Sequence, residues 1–71
     1  MKLRYYPETD SLYIELNDQP GVDIIEVSDG LVVDIDEQGN PVGIDIDQAS
    51  QRLDLASVET FALPATQTQS G

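Results

Sequence analysis

The sequence predicts a mainly β (α+β) domain, an antiparallel β-meander of about five strands followed by a short C-terminal helix. Three observations predict it. Apolar and polar residues alternate with period two in five segments, the pattern of half-buried strands. Each segment is bounded by residues that favour turns. After Asp47 the apolar residues recur at helical spacing instead.

The first two segments, Lys2 to Tyr6 and Ser11 to Leu16, flank the turn Pro7-Glu8-Thr9-Asp10. Pro7 presets a turn and Asp10 can accept local backbone hydrogen bonds. Closing this hairpin with Tyr6 opposite Ser11 places Tyr5 opposite Leu12, Leu3 opposite Ile14 and Met1 opposite Leu16. All of these share one apolar face. The other face then carries Arg4 opposite Tyr13, a cation–π pairing, and Lys2 opposite Glu15, an opposite-charge pairing.

Asp23 to Val27 and Leu31 to Asp36 flank Ser28-Asp29-Gly30. A two-residue loop would set Glu26 opposite Val33 and drive its carboxylate into the core. A three-residue loop pairs Val27 with Leu31 and Ile25 with Val33, and it needs a left-handed residue where Gly30 stands. The third hairpin closes on Gln38-Gly39 and leads to Pro41 to Ile46. Ile35 then faces Val42, Val33 faces Ile44 and Leu31 faces Ile46, while Asp34, Asp36, Gly43 and Asp45 share the opposite face. Asp47 is a candidate helix cap, and Ala49, Leu53 and Ala56 could seal one sheet face. Val58 to Leu63 either adds a strand or docks loosely. The expected organisation is one domain over residues 1–63 and a flexible polar tail over 64–71.

Seventy-one residues allow one domain, which buries roughly 60% of the surface its unfolded chain exposes. There is no cysteine and no histidine. Disulfides, thiolate or imidazole metal sites and a histidine-based triad are therefore excluded. Three basic residues stand against fourteen acidic ones, a formal charge of −11. That balance opposes nucleic-acid binding, which draws on Lys and Arg. It suits a basic protein partner or divalent cations. The start, Met1-Lys2-Leu3-Arg4-Tyr5-Tyr6, has no apolar run of the kind a signal peptide carries, and no stretch reaches the length of a membrane span. A cytoplasmic location and no cofactor are expected.

Several runs together resemble a known family. They are Tyr5-Tyr6-Pro7-Glu8-Thr9-Asp10-Ser11-Leu12-Tyr13-Ile14-Glu15-Leu16, then Glu26-Val27-Ser28-Asp29-Gly30-Leu31-Val32-Val33-Asp34-Ile35-Asp36, then Gly39, Val42-Gly43-Ile44-Asp45-Ile46 and Ala49-Ser50. This pattern resembles the small prokaryotic domain-of-unknown-function family 2283, over Lys2 to about Leu53. Tyr6 stands where that family more often has Asp, and Asp47 where it often has an apolar residue. The resemblance implies a small stand-alone bacterial or archaeal protein and carries over no catalytic residue.

Four features bear on chemistry. Asp34, Asp36, Gly39 and Asp45 half-match a calcium loop, but Gln38 stands at its fifth position, Asp45 replaces the bidentate Glu, and strands replace the flanking helices. Asp34 and Asp45 form a possible acid–base pair, which would need one carboxyl desolvated. Pro7 to Asp10 reads as a turn. Lastly, Tyr13, Ile24 and Val32 lie opposite the main apolar face, and with Phe61 and Leu63 they form a candidate partner-binding patch.

The main face is too large for Ala49, Leu53 and Ala56 to cover. The expectation is a non-enzymatic protein–protein interaction module that forms a homodimer. A carboxylate-based divalent-cation-binding protein and an antitoxin-like acidic partner of a basic protein are the alternatives.

Overall fold

A computed structural model describes residues 1–64; the rest of the expected polar tail lies outside the described residues. The strands are β1 (Lys2–Tyr6), β2 (Ser11–Glu15), β3 (Asp23–Ser28), β4 (Leu31–Ile35) and β5 (Pro41–Asp47), followed by the helical turn α1 (Ala49–Arg52). All pairings are antiparallel. The fold is thus the expected five-stranded antiparallel sheet with a short C-terminal helix. Its strand order is β1-β2-β5-β4-β3. The last strand in sequence is the central one, because β2 pairs with β5. The link from β2 to β3 runs past the ends of β5 and β4, where Leu16 N–H donates to Val42 C=O and Val22 N–H to Ile35 C=O.

The first hairpin has the predicted register, from Tyr6 opposite Ser11 to Lys2 opposite Glu15. Arg4 lies opposite Tyr13, yet its guanidinium reaches diagonally to Glu15, 3.5 Å away, with Lys2 at 4.0 Å from the same carboxylate. The other two hairpins each depart from prediction by one residue. Ile25 opposes Val33 as expected, but Ser28, not Val27, opposes Leu31, and Val27 is the extra residue of a bulge. Val33 opposes Ile44 and Leu31 opposes Ile46, but Ile35 opposes Pro41, not Val42. In both cases a bulge keeps the apolar residues on their face while one residue is absorbed.

The two turn glycines explain the hairpin ends. Gly30 has φ +79° and Gly39 has φ +83°, a region that costs a residue with a Cβ about 1–2 kcal/mol. A Cβ on Gly39 would meet open space, whereas one on Gly30 would lie 3.3 Å from both Arg52 Nη2 and Asp47 Cβ. Around Gly39 the loop is longer than Gln38-Gly39 alone. Asp36 organises it: its N–H donates to Asn40 C=O, its C=O accepts from Gly39 N–H, and its carboxylate accepts from the N–H groups of Gln38 and Asn40.

The helix differs most from expectation. It spans one turn, so Leu53 and Ala56 lie beyond it, and Asp47 does not cap it. Asp47 instead accepts a hydrogen bond from Ser11 Oγ. The capping group comes from the first turn of the chain. Asp10 accepts from Ser50 N–H (3.0 Å) and Ser50 Oγ (2.8 Å), and from Tyr5 Oη (2.7 Å), while its C=O accepts from Ala49 N–H. Asp10 therefore bridges the β1–β2 turn to α1, a non-local role where only local hydrogen bonds were expected. Val58 to Leu63 forms no strand.

Candidate interaction surface

Directly paired residues of antiparallel strands project to the same side of a sheet, so the registers define two faces. On the first, Leu3, Ile14, Ile44, Val33 and Ile25 form one row across β1, β2, β5, β4 and β3. A parallel row runs Tyr5, Leu12, Ile46, Leu31 and Ser28. The helix is anchored at this second row through Tyr5 and Asp10. Among the described residues, only Leu12, Val42 and Ala49 are buried hydrophobics. The first row is left open: Leu3 and Ile25, its two ends, are each 50% exposed, and Ile14, Val33 and Ile44 are partly so. Each strand delivers its apolar residue to this row by alternation alone.

The opposite face is polar and organised around Tyr13. Its ring lies across Gly43, and its hydroxyl donates to Asp34 Oδ2 at 2.8 Å. A Cβ at Gly43 would sit 2.0 Å from Tyr13 Oη and 2.6 Å from its Cζ. Glycine inside a strand often marks such a close approach. The hydrogen bond to Asp34, with desolvation second, pushes the Tyr13 phenol up to about 12. An unfolded tyrosine ionises near 10.0. This contribution to stability is therefore complete below pH 10 and lost progressively as pH rises from about 10 to 12. Chemical denaturation across that range should show the decline, and Tyr13→Phe should diminish it. Desolvation, then the charges of Asp47 and Asp34, raises Asp45 above its ordinary value. Asp10 is lowered, first by the Tyr5 hydroxyl and then by Ser50.

The candidate residues fall into place on this frame. Asp34 is engaged by Tyr13 and Asp36 by its own turn. Asp45 lies opposite Tyr13 on one side and Val32 on the other. Among the described residues, no group of three or more acidic side chains is arranged to hold a metal ion. Of the candidate partner patch, Tyr13, Ile24 and Val32 share the polar face, Ile24 being exposed and Val32 partly buried. Phe61 and Leu63 belong to the exposed segment beyond α1, together with Val58.

One open cleft, of about 500 Å³, lies where β2, β5, the Asp29-Gly30 turn and α1 meet, and it was not foreseen. It is lined by Thr9, Ser11, Asp29, Gly30, Asp47, Gln48 and Arg52. Its polar groups serve the fold: Arg52 Nη2 donates to Asp29 C=O and Ser11 Oγ to Asp47. No helix among the described residues is long and apolar enough to cross a membrane.

No curated protein and no solved structure matches the chain. The family model described as "Protein of unknown function (DUF2283)" matches residues 2–50. That span takes in all five strands and ends at Ser50, the residue that Asp10 holds at the start of α1. The chain therefore belongs to the DUF2283 family of proteins of unknown function.

Proposed function

We propose that this protein is a non-enzymatic protein–protein interaction module that works as a homodimer through its apolar sheet face. The observation that carries the reading is the open row Leu3, Ile14, Ile44, Val33 and Ile25. A five-stranded sheet with one helical turn is a single layer, and stable domains bury a sheet face against a second layer. Symmetric dimers are the commonest way for a small chain to supply that layer.

The distribution of charge favours a second copy over a basic partner at this face. The two rows hold no acidic residue. Asp23, at the start of β3 opposite Ile35, is on the side of the rows but at its edge; the other described acids stand on the polar face, in the turns and beyond α1. A basic protein would find its counter-charges elsewhere on the molecule.

Salt separates the readings. Two copies of charge −11 repel each other at a distance, and the repulsion is screened as the Debye length falls from about 30 Å at 0.01 M to about 8 Å at 0.15 M. Light scattering should therefore show self-association tightening over that range. Association that weakens with added salt would instead indicate attraction between opposite charges and would overturn the apolar face as the interface.

A further inference from the structure

We propose that in this dimer each copy lays its C-terminal arm, Val58 to Leu63, across the apolar row of the other. The inference rests on the homodimer reading and identifies what closes its interface. The arm carries three large apolar side chains, Val58, Phe61 and Leu63, which are 69%, 80% and 51% exposed. Phe61 is the only phenylalanine in the chain, and exposing it forgoes a large hydrophobic contribution. Among the described residues, the side-chain hydrogen bonds of the arm and its approach are local, Ala56 N–H to Asp54 and Ser57 to Glu59. Among the described residues, no hydrogen bond joins the arm to its own sheet, and the apolar row of that sheet is half exposed at both ends. The chain thus presents two exposed apolar surfaces, one on the arm and one on the sheet.

Size and reach fit an exchange. Five strands about 4.8 Å apart and five residues long at about 3.4 Å each give the sheet a flat footprint of about 400 Å². Part of that is taken by α1 at the Tyr5–Leu12 row. A stable interface buries about 800 Å² per partner, so the open part of the sheet is a small interface by itself. Adding the arm of each copy brings in three more large side chains per protomer. With the turn at Leu55–Ala56 opened, the chain from Leu53 to Phe61 can span up to about 27 Å. That is enough to cross the width of a neighbouring sheet. Under a two-fold axis both arms do so equivalently, and the exchange closes without leaving a free arm to recruit further copies.

The test uses the full chain. Sedimentation first establishes whether it dimerises; a monomer at all concentrations overturns the dimer reading itself. For the dimer, copies with labelled methyl groups are mixed with unlabelled copies, and isotope-filtered NMR detects contacts only between different chains. The proposal expects contacts from the Phe61 ring to methyls of Ile14, Ile44 or Val33 of the other copy. Phe61 contacts confined to its own chain, or a dimer in which Phe61 still faces water, overturn the exchange while leaving the dimer standing. As a second measurement, Phe61→Ala should weaken dimerisation about tenfold or more, yet leave the melting of the dilute monomer unchanged. An unchanged dimer affinity also overturns the exchange.

Discussion

Replacing Gly43 by alanine is expected to cost about 2–4 kcal/mol of stability, far more than a typical change in a solvent-facing strand position. The new Cβ would fall 2.0 Å from Tyr13 Oη and 2.6 Å from Cζ, so the ring must leave. Two losses follow. One is the hydrogen bond to Asp34, which as a bond to a charged group contributes about 1.5–3 kcal/mol. The other is packing strain of about 1–3 kcal/mol if the ring only partly moves. A double-mutant cycle isolates the cause. In a Tyr13→Ala background the three atoms nearest to the new Cβ are gone, and Gly43→Ala should then cost less than about 1 kcal/mol. Urea denaturation of the four variants measures it. Equal costs in both backgrounds would show that Gly43 matters for its backbone and not for the ring above it.

The second large effect is on assembly. Leu3 and Ile25 end the apolar row and are each half exposed in the single chain. Leu3→Lys together with Ile25→Lys should therefore leave the monomer folded, because a lysine there keeps its ammonium in water. In a dimer those ammonium groups would be trapped against apolar side chains. Burying unpaired charge is costly enough that dimer affinity should fall by about a hundredfold or more. Circular dichroism reports the fold and light scattering the mass. A doubly substituted chain that dimerises as tightly as the parent would place the interface elsewhere.

The parts of the structure that were legible in sequence are those that alternation controls. A one-residue slip flips every side chain, so the pairs Tyr5–Leu12, Leu3–Ile14, Ile25–Val33, Val33–Ile44 and Leu31–Ile46 followed from keeping apolar opposite apolar. The same criterion cannot place a bulge, because a bulge preserves the pattern while absorbing a residue. Val27 and Val42 were misplaced for that reason. The position of β5 beside β2 was also hidden. Ile14–Ile44 and Leu12–Ile46 are good apolar pairs, but nothing local announces a pairing between segments so far apart in sequence.

The same limit applies to single side chains. Asp10 was recognisable as a turn residue, but its capping of α1 depends on a contact forty positions away. Gly43 in mid-strand was the one available signal for the Tyr13–Asp34 bond, since a strand interior gains nothing from glycine unless something lies close above it. The excess of the apolar face over the helix meant to cover it was legible, and the structure sharpens that contrast. The helix is one turn long, and Leu53 and Ala56 do not belong to it.

The most direct measurement compares the water exposure of isoleucine methyl groups at low and high protein concentration, using a soluble paramagnetic probe. Ile14, Ile25 and Ile44 belong to the apolar row. Ile24, on the opposite face and exposed, serves as the internal control. If the row is buried between two copies, the three row methyls become shielded as concentration rises through the dimerisation range, while Ile24 stays exposed. Row methyls that remain as accessible as Ile24 at every concentration would contradict the account and leave the protein a single-layer monomer.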